Sequence, residues 1–200
     1  RRLRDGDPLV LGDGAGSWRA ARFAGRAPEP VGEVRSVPAA APAVAVAFAL
    51  VKGARPELAV QKLTELGVDR IRPFVAARSV VRWDAARSAA AHDRLVRVAR
   101  EAAMQSRRPW LPRVDPVATF AEVAADPSAC LADRGGGPPS LDRPLVLTGP
   151  EGGWDPGERA AGLPVVGLAE GVLRAETAAI VAGVVLTALR AGVVAPGGAG

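Results

Sequence analysis

The sequence predicts an α/β protein built on a parallel sheet, preceded by a smaller β-rich unit. Three observations predict it. From Val44 onward, short apolar stretches alternate with helix-patterned ones, the pattern of strand–helix–strand units. Leu145-Val-Leu-Thr-Gly-Pro-Glu-Gly-Gly-Trp154 and Leu168-Ala-Glu-Gly-Val-Leu-Arg-Ala-Glu-Thr177 each read as strand, glycine-containing loop and helix start. Two such units side by side form a crevice at the carboxyl ends of neighbouring strands. Residues 1–37 differ: Pro8–Leu11 and Ser17–Phe23 are short stretches punctuated by Gly6, Gly12, Gly14 and Gly25, the spacing of a small β-barrel or part of one.

The elements follow in order. The Pro/Ala run 37–42 reads as a linker. Val44–Leu50 is a buried strand. Pro56–Leu66 is a helix, with Pro56 and Glu57 in its first turn and Gly67 past its end. Val68–Val75 is a second strand, and Ser79–Trp83 a short third. Ala85–Ser106 is a long helix stopped by Pro109; continued at helical spacing, Arg87, Arg94, Arg97 and Arg108 share one side, and Ala91, Leu95, Ala99 and Ala102 another. A short helix (Val117–Ala125), a strand (Ala129–Ala132) and a loop (Gly135–Pro139) come next. Strand Pro144–Thr148 leads to the glycine-rich turn. Asp155-Pro-Gly-Glu158 is a helix start with a capping box. Strand Pro164–Leu168 and a final helix, Ala175–Arg190, ended by Gly192, complete the pattern. That helix is apolar over most of its surface, which predicts burial or a dimer interface.

Composition narrows the classes. A hydrophobic fraction of 48% supplies a core. The longest apolar runs, 43–51 and 178–189, are too short or too rich in small residues for a membrane span. No signal peptide is read at the start, and Arg1-Arg2-Leu3-Arg4 suggests that part of the natural amino terminus is missing. A single cysteine, Cys130, fits a reducing cytoplasm, and with one histidine it cannot supply a zinc site. A serine triad would need His92, which reads more simply as a solvated helix histidine. The net charge is +5, and every basic residue except Lys52 and Lys62 is arginine. Arginine binds phosphate bidentately and stacks on bases, which favours a nucleic-acid partner. A GC-rich genome accounts equally well for the arginine.

The glycine-rich loop limits the ligand. Gly149, Gly152 and Gly153 let backbone approach a flat ligand closely. Glu151 among them would repel a phosphate, and neither a dinucleotide nor a P-loop fingerprint is present. The loop suits a neutral or cationic ligand.

Six co-linear segments then become recognisable: Val51-Lys-Gly-Ala-Arg-Pro-Glu57, Val60-Gln-Lys-Leu-Thr-Glu-Leu-Gly-Val68, Arg78-Ser-Val-Val81, Arg100-Glu-Ala-Ala-Met-Gln-Ser106, Thr148-Gly-Pro-Glu-Gly-Gly153 and Val172-Leu-Arg-Ala-Glu-Thr-Ala178. Together they closely resemble the ribosomal RNA small-subunit methyltransferase E family of the SPOUT superfamily, over nearly the whole chain. The resemblance implies an α/β domain with a deep trefoil knot (residues 43–192), a partly truncated amino-terminal PUA-like β-barrel (1–40) and a flexible tail (193–200). It implies a cytoplasmic homodimer that uses S-adenosylmethionine, without a metal or a membrane. The reaction it implies is methylation of N3 of a uridine in 16S small-subunit ribosomal RNA, free or in the assembled subunit.

Carried over by motif, the cofactor would lie between Leu147, Thr148, Gly149, Pro150, Glu151, Gly152 and Gly153 on one wall and Leu168, Gly171, Val172, Leu173, Arg174 and Thr177 on the other. A third wall comes from residues 131–134. Arg174 and Glu176 are the candidate catalytic residues: Arg174 for charge developing on a uracil carbonyl, Glu176 for the N3 proton or, equally, as an anion at a helix start. Arg78, Arg82, Arg94, Arg97, Arg107 and Arg108 are candidates for RNA phosphate. Gln105 is a candidate for the target base or a polar terminator. Trp18 and Trp83 could stack on bases or pack in the core. The family usually has a polar residue where Ala54 stands, and Phe more often than Trp154. The rival readings are another RNA methyltransferase of the superfamily and a non-catalytic, dimeric RNA-binding scaffold.

Overall fold

The computed structural model describes residues 3–52, 55–81 and 84–195. Ala54, Arg82 and Trp83, singled out above, lie outside the described residues, as do 196–200 of the expected tail.

Four short strands, β1 (Pro8–Gly12), β2 (Ser17–Ala24), β3 (Ala27–Pro30) and β4 (Arg35–Ser36), form an antiparallel sheet. In it β2 pairs with each of the other three. The first turn is set by Asp13, whose carboxylate accepts from the amides of Ala15 (2.7 Å) and Ser17 (3.0 Å). These bonds hold its pKa below the usual aspartate value. Gly16, at φ +96°, is required there, because a Cβ would lie 2.6 Å from the ring of Trp110. The Trp110 indole also donates to Val37 O at 2.8 Å, and Leu111 N–H to Gly14 O at 2.9 Å. The amino-terminal sheet is thereby fastened to the segment that follows the arginine-rich helix.

The remaining elements are β5 (Ala45–Ala49), α1 (Arg55–Leu66), β6 (Arg70–Val75), α2 (Ala85–Gln105), β7 (Arg113–Val114), β8 (Ala118–Thr119), α3 (Phe120–Ala124), β9 (Ala129–Gly137), β10 (Leu145–Thr148), α4 (Pro156–Arg159), β11 (Val165–Val166) and α5 (Ala175–Arg190). The strands form one all-parallel sheet in the order β11-β9-β10-β5-β6-β7, with β8 also on β6. Strands buried on both faces read as continuous apolar runs, and β5 and β10 do. Their alternate residues feed two cores. Val46, Phe48 and Val146 meet Val60, Leu63, Leu95, Ala182 and Leu186 of α1, α2 and α5. Ala47, Leu145 and Leu147 meet Phe74, Val123 and Trp154 on the other side. The final helix packs one apolar side on α1, β5 and β10.

Several expectations need correction. Residues 76–79 form a turn, closed by the Ser79 hydroxyl accepting from Ala76 N–H at 3.1 Å, where a third strand was expected to begin. Residues 118–119 pair with β6, so the helix after them is only 120–124, started by a Thr119–Glu122 capping box. The glycine loop expected at 135–139 is strand as far as Gly137. A Cβ on Gly136 would overlap the Val166 backbone and come within 2.7 Å of Gly167 N, so only glycine lets β9 and β11 approach this closely. His92 is half-buried, with Nε2 3.0 Å from Val114 O, and ties α2 to β7 where a solvated ring was expected. Cys130 is buried; desolvation pushes its thiol up to about 11, which keeps it protonated and unreactive.

Arg72, nine-tenths buried on β6, reaches Asp126 at 3.0 Å and Asp115 at 3.3 Å. Burial pushes the Asp126 carboxyl up, but hydrogen bonds from Ser128 and the Arg72 and Arg70 guanidinium groups outweigh it, and its pKa falls. A carboxylate with a depressed folded pKa stabilises the fold above its unfolded pKa of about 3.9 and loses that contribution as pH falls through the folded value. Asp126→Asn is therefore expected to lower stability at pH 7, and urea melts of the two proteins should converge as the pH falls through the folded pKa.

Candidate functional site

A cleft of about 340 Å³ opens at the carboxyl end of β10, beside the middle of β9. In a parallel sheet this is the edge where loops from neighbouring strands part. One wall is Gly149–Trp154, the second Leu168, Ala169 and Gly171–Leu173, and the third Ala132–Arg134. A shallower hollow, bordered by 133–138 and 167–170, continues from it.

The glycine-rich wall is held from behind. Trp154 is buried, stacks on Phe74 with ring centroids 6.2 Å apart, and donates from its indole to Ala132 O at 2.9 Å. A Cβ on Gly149 would lie 3.0 Å from that ring, so Gly149 is fixed by packing. Gly153, at φ +70°, turns the chain into α4. Asp155 and Glu158 form the expected capping box. The buried Glu158 carboxylate accepts in addition from Ala77 N–H at 2.8 Å, binding the turn after β6 to this helix. From that turn Arg78 donates to Gly152 O at 3.1 Å.

The second wall is loosely bonded. Among the described residues, no backbone N–H of 168–173 has a protein partner. Backbone groups left free beside a cleft are available to a ligand. Charges around the cleft are mostly matched: Arg159 reaches Asp133 at 3.0 Å, and Arg55 pairs with Glu151.

Most of the expected cofactor residues line this cleft: Gly149, Pro150, Glu151, Gly152, Gly153, Leu168, Gly171, Val172 and Leu173. Leu147 and Thr148 do not. Both are buried in β10, where Thr148 Oγ1 donates to Ala47 O at 3.4 Å. Arg174 and Thr177 are exposed at the start of α5 and outside the cleft lining. Glu176 is in the first turn of α5 with its side chain only 12% exposed. The sequence reading overlooked Arg55 and the Asp133–Arg159 pair. Nothing local marks the pair. Arg55 has a local signal, because a cation at a helix amino terminus opposes the helix dipole and calls for a tertiary reason.

The expected RNA contacts separate. Arg97, Gln105 and Arg107 are exposed. Arg94 is exposed but paired with Glu57 at 2.7 Å, and Arg78 is committed to Gly152. Arg108 departs from the expectation altogether. Arg107, at φ +56°, closes α2 where glycine is usual; its amide donates to Met104 O and that of Arg108 to Ala103 O. This turns Arg108 inward, where it donates to Thr64 O (2.8 Å) and Val68 O (3.1 Å) at the end of α1. Desolvation lowers its pKa, against the pull of Asp69. Arg108→Ala is expected to cost about 1–3 kcal/mol through the abandoned carbonyls, without changing the salt slope of RNA binding. Arg97→Ala should leave the melt unchanged and reduce that slope by about 1. Thermal melts and a salt series of RNA titrations check both.

The model of the RNA methyltransferase domain matches residues 39–187. Ribosomal RNA small subunit methyltransferase E of Mycobacterium bovis is 39% identical over 207 aligned positions, covering 91% of this chain and 78% of the relative. The chain belongs to the ribosomal RNA small subunit methyltransferase E family. The family's Synechocystis member is 34% identical over 90% of this chain and 66% of its own length. Among solved structures, that of methyltransferase E from Neisseria gonorrhoeae, bound to S-adenosyl methionine, superposes with a TM-score of 0.81 at 27% identity (94% of this chain, 86% of that one). A probable rRNA-methyltransferase from Porphyromonas gingivalis gives 0.79 at 31% identity (96% and 89%). The methyltransferase E match spans both sheets, so the amino-terminal sheet belongs to the likeness as much as the cleft does.

Proposed function

We propose that this chain is an S-adenosylmethionine-dependent methyltransferase that modifies N3 of a uridine in small-subunit ribosomal RNA, acting as a cytoplasmic homodimer. The observation that carries the reading is the cleft itself. Its walls are glycine backbone and free amides, and its charged rim has Glu151 in the loop where a phosphate binder would need a cation. S-adenosylmethionine carries no phosphate and bears a sulfonium, so the donor set fits it. A Cβ on Gly171 or Gly153 would meet no protein atom within 4 Å, so open space lies beside both of these cleft-lining glycines.

Gly149–Gly153 and Gly171–Leu173 would hold the cofactor, which supplies a methyl group on a positively charged sulfur. The protein's share is mostly positioning, since an in-line displacement depends on alignment. Arg174, exposed at the N-cap of α5, would donate to a uracil carbonyl or orient phosphate. Glu176, two residues on in the first turn of α5, is the group for the N3 proton. The exposed face with Arg97, Gln105 and Arg107 would meet RNA, together with the amino-terminal sheet that Trp110 fastens beside it.

The same reading gives residues 43–192 to the methyltransferase domain, with a deep trefoil knot near its carboxyl end. The antiparallel sheet β1–β4 before that domain would be a PUA-like RNA-binding unit. Isothermal titration tests the cofactor part: S-adenosylmethionine should saturate about one site per subunit and NAD none. Heat from NAD alone, or from neither, would overturn it.

A further inference from the structure

Arg55 opens α1, where a cation is locally unfavourable. Its guanidinium pairs with Glu151 of the cofactor loop and places Nε 3.8 Å from Glu176 Oε1 in the first turn of α5. The second oxygen, Glu176 Oε2, is buried and has no hydrogen-bond partner among the described residues. A buried carboxylate oxygen without a donor is costly unless something supplies one. Glu176 stands between Ala175 and Ala178, which line the cleft, and Arg55 ties it to Glu151, which lines it too. The unpartnered oxygen therefore lies just behind the cleft lining, on a side chain whose other oxygen faces the Arg55 guanidinium at 3.8 Å.

We propose that Arg55 is a positioning residue for methyl transfer: bridging Glu151 and Glu176, it aims Glu176 Oε2 at the N3–H of the target uracil. The inference rests on the reading of this site as a uridine-N3 methyltransferase. Uracil offers one donor, N3–H, between two carbonyl acceptors; a carboxylate oxygen takes the donor and a guanidinium suits a carbonyl. In the step, the N3 proton passes to Glu176 Oε2. The electron pair left on nitrogen forms the new N–CH3 bond and displaces a neutral thioether from the methyl carbon, its bonding pair returning to sulfur. Glu176 then yields the proton to water.

The test uses Arg55→Gln, Arg55→Lys and Glu176→Gln in the full chain, with small ribosomal subunits from a strain lacking the enzyme. The subunits are prepared with ordinary RNA and with RNA carrying 5-fluorouracil, whose N3–H is more acidic. Arg55→Gln and Glu176→Gln should bind S-adenosylmethionine within about twofold of the unsubstituted protein by titration, yet lose about 100-fold or more in kcat on ordinary subunits. Both should regain about tenfold of that loss on fluorinated subunits, because a more acidic proton needs less help. Arg55→Lys should fall between. Equal losses on the two RNAs, cofactor affinity falling in step with kcat, or an undiminished Arg55→Gln would each overturn the proposal. An unsubstituted protein that binds the cofactor but places no methyl on uridine N3 would instead overturn the functional reading beneath it.

Discussion

Gly171→Leu is expected to weaken S-adenosylmethionine binding about 100-fold, or roughly 2.7 kcal/mol, while leaving the thermal midpoint within a degree or two of the unsubstituted protein. Gly171 lines the cleft, is solvent-exposed and has an ordinary φ, and a Cβ there meets no protein atom within 4 Å. A side chain at this position has the cleft to occupy and no packing to disturb. Titration calorimetry beside a melting curve separates the two effects. A variant that binds normally would mean that the ligand does not use the space between the glycine walls.

Trp154→Ala acts through the opposite route and is expected to cost about 3–5 kcal/mol, read as a midpoint lowered by roughly 10 °C in a chain of this size. The ring is buried, stacked on Phe74, tilted against Phe120 at 5.8 Å and bonded to Ala132 O. It also forms the floor on which Gly149 lies. Removing it leaves a cavity beneath one wall of the cleft and frees the loop from β9, so cofactor affinity should fall with stability. Trp154→Phe keeps most of the packing and loses the indole bond; about 1 kcal/mol is expected. Chemical denaturation of the three proteins, with unchanged m-values, checks the order.

Where local chemistry decides an element, the sequence was enough to read it. Gly67 and Gly192, both at positive φ, end α1 and α5 as expected, and Asp155 with Glu158 starts α4. The buried strands β5 and β10 were visible as apolar runs. The errors occur where distant segments decide. Gly135–Gly137 look like a loop until Val166 of β11 lies beside them, and 118–119 look helical until β6 recruits them. Arg108 looks like one more arginine of a basic stripe because helical spacing continues past Ser106. Arg107 at positive φ breaks that spacing, and Arg108 turns to the end of α1.

The site divides in the same way. The glycine walls of the cleft were legible because glycine, with Glu151 among it, restricts the ligand directly. Leu147 and Thr148 belong to the matching motifs but serve the sheet. Arg55 was hidden because its meaning depends on Glu151 and Glu176, 96 and 121 positions away (151 − 55 and 176 − 55), which only the fold brings together.

The first experiment is to incubate the protein with isotopically labelled S-adenosylmethionine and small ribosomal subunits from a strain lacking the enzyme, then digest the RNA and analyse its nucleosides by mass spectrometry. One labelled 3-methyluridine per small-subunit RNA is the predicted product. Label on another base or another atom of uridine, or none in the RNA of a protein that binds the cofactor, would contradict it.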